Sequence, residues 1–226
     1  MINDFAVLIY GIPFLDKNQF QTIQMGDESV VNNKKLHTIV GAGTGLGISR
    51  GLINSDIIEV LSSEGGHIEF APKTPKEWEL KVWLKDFLNL ERISYERIIS
   101  GEGLCNIAKW RFSYPDAMNH SFQKILNESK TSKKTQKKLA SEICKFSAKG
   151  DSLLREIENI WLSNYASYLG DVALHELCFG GLWISGGTAP KHFKNFKSNS
   201  FLKHFSDKGR YKDCLLYTSP SPRDKS

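Results

Sequence analysis

Residues 36–53 read LHTIVGAGTGLGISRGLI, and their pattern decides the fold class. An apolar run from Leu36 enters a turn with glycines at 41, 43, 45 and 47, after which apolar residues return at Ile48, Leu52 and Ile53 with strand-like spacing. Strand, glycine-rich turn and strand together predict a hairpin. No third glycine completes a GxGxxG, since Leu46 and Ile48 occupy those places, and no Gly-Lys-Ser/Thr follows, so Rossmann and P-loop readings both fail. A hairpin of this kind can turn several backbone N–H groups toward an anion, with the Thr44 hydroxyl as a further donor. A tight glycine hairpin without a ligand serves the motif equally well.

Working outward, Ile57 to Val60 predicts a short strand. Lys76 to Leu88 predicts a helix after the turn residues Thr74 and Pro75, because Trp78, Val82, Trp83, Phe87 and Leu88 recur at helical spacing. Ser94 is read as opening a second helix, SYERIISG, stopped by Gly101 and Gly103. Ser152 to Cys178 predicts a long amphipathic helix with Leu153, Leu154, Ile157, Ile160, Trp161, Tyr168, Leu169, Val172 and Leu177 on its core face. GGLWISGG, residues 180–187, predicts a buried strand entering a double-glycine turn, and TAPKHFKNF begins a helix with Pro190 in its first turn. This order of strands and helices predicts an α/β fold with both hairpins and crossovers.

The chain has 226 residues, 40% of them hydrophobic and 24% charged, which suits one large domain or one domain plus part of another and excludes disordered, collagenous and coiled-coil classes. Thirty Lys and Arg against 25 Asp and Glu leave a charge of +5. Much of the excess lies in Lys130, Lys133, Lys134, Lys137 and Lys138, a polar run without interleaved aromatics. It reads as a solvated face, so no nucleic-acid partner is expected. Cys105, Cys144, Cys178 and Cys214 are far apart, without CxxC spacing; reduced thiols in a cytoplasm are expected, with no zinc and no other resident metal. The opening MINDFAVLIYGIPF carries Asp4 where a signal peptide needs positive charge, and its apolar run is too short to span a bilayer. The closing LLYTSPSPRDKS has no periodicity and resembles a translated sequencing adapter, which sets residues 214–226 outside the fold as a non-native or disordered tail.

Three further places carry polar chemistry. Glu64-Gly65-Gly66-His67 sets an acid and an imidazole on either side of a sharp turn, too few ligands for a metal but suited to hydrogen bonding a polyol. Glu96 stands in the first turn of the SYERI helix, where a carboxylate also complements the helix dipole. Asp4, preceded by Asn3, reads by itself as a helix cap or a hydrated carboxylate rather than a functional group.

Taken in order, IND-F, GAGTGLGIS, SEGGHIEFAP, ERISYERIISGEGL, GGLWISGG and FSDKGRYKD closely resemble the bacterial-type glucokinase family, in a match from Ile2 to Asp213 apart from the lysine-rich middle. The resemblance implies the actin-like, ribonuclease H-like sugar kinase fold. It implies ATP-dependent phosphorylation of glucose at the 6-hydroxyl, the first step of glycolysis, with magnesium accompanying the nucleotide. It also implies Asp4 as catalytic base, and Asn3, Glu64, His67 and Glu96 as partners of the sugar hydroxyls. Gly41, Gly43, Thr44, Gly45 and Gly47 would then form a phosphate-contacting turn, and Gly186 and Gly187 a turn against the adenosine. Residues 1–14 would end a small domain and 15–213 form the large one. The oligomeric state is left open, a homodimer included.

The family's Asp-Gly-Gly-Thr turn, which supplies the first phosphate contacts, has no counterpart in the chain, and neither has its closing helix. The expectation is therefore of a fragment that turns over ATP poorly, since phosphoryl transfer is mostly positioning and charge stabilisation. The alternative is a truncated, non-catalytic sugar-binding module. An acetate or glycerol kinase would not need the EGGH and SYERI carboxylates together.

Overall fold

The computed structural model describes residues 4–24, 35–54, 57–128, 133–213 and 215. Helix α1 (Asp4–Gly11) is followed by strands β1 (Lys35–Ala42), β2 (Leu46–Ile53) and β3 (Ile58–Ser63). Helices α2 (Pro75–Leu88), α3 (Glu96–Ile99), α4 (Gly101–Arg111), α5 (Gln123–Glu128), α6 (Lys133–Ala148) and α7 (Ser152–Glu176) come next. Strand β4 (Gly181–Ser185) and helices α8 (Ala189–Phe196) and α9 (Asn199–Ser206) complete the order. The strands form one mixed sheet in the order β3-β2-β1-β4. β2 and β3 are antiparallel, from Ile48 opposite Ser63 to Ile53 opposite Ile58. β1 and β4 are parallel, from His37 with Gly181 to Gly41 with Ser185. The hairpin and the crossover expected from the sequence are both present.

The chain forms two compact units. The first comprises Met1–Gly41, Gly47–Gly65 and Tyr165–Ser226. In it α1 lies on a stripe of glycines: a methyl group on Gly41 or Gly47 would fall inside the Phe5 ring, and one on Gly51 would meet the Ile9 side chain. Absent side chains on the strands let the helix approach closely enough to bury Ala6 and Ile9, while Val7, Tyr10 and, just beyond the helix, Phe14 remain exposed. At the far end of the chain, Gly170 admits the carbonyl of Phe205, and the rings of Phe196 and Phe201 pack 4.9 Å apart. Lys208 anchors the segment after α9 to Asp171 at 2.7 Å.

The second unit comprises Ala42–Leu46 and Gly66–Asn164. Helix α2 starts with a reciprocal cap, the Thr74 hydroxyl accepting from the Glu77 N–H and the Glu77 carboxylate from the Lys73 N–H at 2.6 Å. The helix is where its spacing predicts it, but the face it buries is another one. Trp78, Val82 and Phe87 are exposed, whereas Glu77, Leu80, Lys81 and Leu84 are buried. Glu77 accepts from Asn164 at 3.1 Å, and Lys81 donates to Glu69 at 2.7 Å and to the Phe70 carbonyl at 2.8 Å. Arg111 bonds Asp116 at 2.9 and 2.7 Å and Glu156 at 2.9 Å; these partners push its guanidinium pKa up, and Arg111 holds the Asp116 carboxyl below its usual range.

The sequence reading of Gly101 and Gly103 as helix stops is corrected. α3 ends at Ile99, and both glycines open α4, whose N-cap is Ser100, its hydroxyl accepting from the Gly103 N–H at 2.9 Å. Gly103 is small because a methyl group there would strike the Ile98 carbonyl. The buried Trp161 of α7 donates to the Ser100 carbonyl at 3.0 Å and fixes the junction from behind. Of the residues set on the core face of α7, Leu154, Ile157, Trp161, Tyr168, Leu169 and Val172 are buried, whereas Leu153 and Ile160 are only half-buried and Leu177, beyond the helix end, is exposed. The helix stops at Glu176, two residues short of the expected end, with Leu177 at φ 46°. Among the described residues no helix is long and apolar enough to cross a membrane.

Candidate active site

The most completely built site lies within the second unit, around the turn that joins β1 to β2. The turn is closed on itself by a bond from the Gly43 N–H to the Gly45 carbonyl at 2.8 Å. It is tied to the start of α4 by the Gly101 N–H, which donates to the Gly43 carbonyl at 2.8 Å. At its exit, the Leu46 N–H donates to Oε2 of Glu96 at 3.0 Å. A methyl on Gly45 would lie 2.5 Å from that same oxygen, and one on Gly66 would fall on the Leu46 carbonyl. Leu46 is thus held at its N–H by the SYERI helix and approached at its carbonyl by the EGGH turn.

These bonds sort the turn's donors. The N–H groups of Gly43 and Leu46 are used by the protein, which leaves those of Thr44 and Gly45, among the described residues, without a protein acceptor. Thr44 is exposed, and Gly43 and Gly45 are half-buried. Adjacent backbone donors beside an exposed hydroxyl are chemically suited to a phosphate oxygen. Gly41 and Gly47 are accounted for differently: they are glycines because the Phe5 ring lies against them.

His67 closes a short 3₁₀ turn, Gly65–His67, and its side chain is exposed. Its carbonyl accepts from both terminal nitrogens of Arg92, at 2.9 and 2.8 Å, a fork that fixes the turn's direction. Glu64 is exposed just beyond β3 in the first unit, and Glu96 is half-buried at the first position of α3. Asp4 begins α1, on the helix that covers the glycine stripe; its side chain and the whole of Asn3 lie outside the described residues. After β4, Gly186 has φ 89° and Gly187 is exposed. A cavity of about 470 Å³ runs along β4 in the same unit, with Phe20, Trp183, Pro190 and Phe193 among its walls.

Cys105 and Cys178 stand apart from this chemistry. Burial pushes the thiols of Cys105 and Cys178 up to about 12, which keeps them protonated and poor as nucleophiles or metal ligands. Cys214 lies outside the described residues.

Residues 1–220 match the family model described as Glucokinase. The chain belongs to the glucokinase family. It is 35% identical over 224 residues to a glucokinase from a Synechocystis species, an alignment covering 95% of this chain and 61% of that relative. Its fold is that of the glucokinase from an Antarctic psychrotroph, with a TM-score of 0.73 at 26% identity over 98% of this chain and 64% of the other. The same fold occurs in a ROK family glucokinase from Streptomyces griseus in complex with glucose and AMPPNP, with a TM-score of 0.51 at 17% identity over 83% of this chain and 60% of that one. The architecture is the α/β fold of actin-like sugar kinases. The chain spans less than two thirds of the length of these glucokinases.

Several parts of this candidate site escape a reading of motifs. Leu46 has no polar side chain, so nothing in its type marks it as the point where three segments meet. Arg92 acts through a carbonyl, to which sequence is blind. Ser100 was the one residue with a signal, since a serine directly before a helix-forming run is the ordinary N-cap pattern.

Proposed function

We propose that the protein is a glucokinase, transferring the γ-phosphoryl group of MgATP to the 6-hydroxyl of glucose. The observation that carries this reading is the junction at Leu46, in which a carboxylate suited to a sugar hydroxyl and a turn suited to a phosphate are parts of one hydrogen-bonded assembly. Family membership over residues 1–220 supports it. In this reading residues 1–14 end a small domain and 15–213 form the large one. Asn3, Glu64, His67 and Glu96 hydrogen-bond the hydroxyls. Gly41 and Gly47 shape the phosphate turn from its strands, and Gly43, Thr44 and Gly45 form its tip. Gly186 and Gly187 border the adenosine.

Asp4 accepts the proton of the 6-hydroxyl as its oxygen attacks the γ-phosphorus. The new O–P bond forms as the bond to the β,γ-bridging oxygen breaks, and ADP leaves with the electron pair. Magnesium, arriving with ATP, would neutralise phosphate charge. The Thr44 and Gly45 N–H groups stabilise phosphate charge without reorganising, and the hydroxyl partners hold the acceptor in line. A cytoplasmic location and a homodimer complete the proposal.

The test is glucose-dependent ADP release by the complete gene product, with mannose and acetate as competing acceptors. Asp4→Asn should lower kcat by about a hundredfold or more while glucose affinity changes little. Phosphorylation of acetate in preference to glucose would refute the proposal, and glucose binding without turnover would make the protein a sugar-binding module.

A further inference from the structure

In the reading above, Glu96 is a sugar ligand. The structure gives its carboxylate a second partner of a different kind. Oε2 accepts the Leu46 N–H at 3.0 Å, and Leu46 directly follows the two donors, Thr44 and Gly45, that the turn leaves for a ligand. On the other side of those donors, Gly43 is fixed by its bonds to Gly45 and Gly101, both 2.8 Å. The pair is therefore pinned at both ends, and the pin at the exit is a side chain, whereas the pin at the entrance is backbone. Gly45 is small enough to pass beneath that carboxylate, since a methyl would meet Oε2 at 2.5 Å.

We infer that Glu96 is also a positioning residue for the phosphate turn, and that sugar and nucleotide binding are coupled through its carboxylate. The inference rests on the proposed reading of Glu96 as sugar acceptor and of the turn as phosphate contact. A carboxylate has enough acceptor sites to serve both partners, Oε2 holding the Leu46 N–H while Oε1 takes a hydroxyl. A hydroxyl donated to one oxygen fixes the rotation of the whole group and so steadies the bond made by the other. Sugar then favours the turn conformation that nucleotide needs, and linkage makes the effect reciprocal.

The experiment uses the complete gene product as wild type, Glu96→Gln and Glu96→Ala. Two quantities are read: hydrogen exchange of the Leu46 amide, and affinity for MgAMPPNP with and without glucose. Glutamine keeps an oxygen for the Leu46 N–H, whereas alanine leaves that donor unpaired. Glu96→Ala should speed exchange at Leu46 and weaken sugar-free nucleotide binding, each by about tenfold, and glucose should no longer strengthen nucleotide binding. Glu96→Gln should stay close to wild type in exchange and in sugar-free nucleotide affinity, although its glucose affinity falls. Should Glu96→Ala fail to fold, Glu96→Asp withdraws the acceptor by one methylene and takes its place. Unchanged Leu46 exchange in the shortened variants, or equal loss of nucleotide affinity in the glutamine and shortened variants, overturns the inference. If wild type binds no nucleotide, the glucokinase reading falls, and the Leu46 exchange comparison alone decides the positioning role.

Discussion

At the end of β1, the turn through Gly43, Thr44 and Gly45 is held by its own internal bond, by the Gly101 N–H and, through Leu46, by Glu96. At the end of β4, Gly186 turns the chain at φ 89°, the Ala189 N–H donates to its carbonyl at 3.2 Å, and a methyl on Gly187 would meet nothing within 4 Å. Both turns follow neighbouring parallel strands and both are written in glycine, yet the glycines answer to different demands. Around the first turn, Gly41, Gly45 and Gly47 make room for other parts of the protein, and only at Gly43 would a methyl meet nothing. In the second, Gly186 supplies a backbone angle that side chains resist, and Gly187 leaves surface uncovered. Glycine substitutions separate these cases, and their costs should fall steeply from one turn to the other.

The largest effect belongs to Gly66→Ala. Its methyl would fall on the Leu46 carbonyl, which belongs to a residue whose N–H is held by Glu96, so that moving the carbonyl aside strains that bond. Overpacking against backbone should destabilise the protein by about 3 kcal/mol, read from urea unfolding. A loss below about 1 kcal/mol would show that the junction yields, and the first turn would then be no more rigid than the second.

Next comes Gly47→Ala, whose methyl would enter the Phe5 ring. Here the obstacle is a side chain, so the expected cost is smaller, about 1–2 kcal/mol. In a Phe5→Leu background the same substitution should cost less, because the smaller side chain leaves room. Additive costs in the double variant would place the strain elsewhere, since residues in contact couple and distant ones add.

The sequence makes this difference only half legible. The hairpin is visible because strand alternation brackets the glycines, and the long helix α7 because large apolar residues repeat over its buried face. Helix α2 is visible in its spacing but not in its orientation. Glu77 and Lys81 are buried because Asn164, Glu69 and the Phe70 carbonyl satisfy them, and a pattern that counts only apolar residues turns the helix toward Trp78 and Phe87. The α3–α4 junction is misread because a glycine beginning a helix looks like one ending a helix until Ser100 is recognised as a cap. In the site, Glu96 can be singled out by type and place, but its partner stands 50 residues away and offers only a peptide N–H. Side-chain chemistry is written in residue types; backbone contacts appear only once the chain is folded.

The smallest effect on stability, and the sharpest on the comparison, is expected from Gly187→Ala. The added methyl faces open space, and Gly187 does not take a left-handed angle, so unfolding should shift by less than about 0.5 kcal/mol in either direction. Affinity for MgAMPPNP in the complete gene product should nevertheless fall, because a methyl group would occupy the space proposed for the adenosine. The two measurements belong together: Gly66→Ala taxes the fold before any ligand arrives, whereas Gly187→Ala should be silent until one does. If Gly187→Ala leaves both stability and nucleotide affinity intact, the second turn is a chain reversal with no nucleotide upon it, and the adenosine must be held elsewhere.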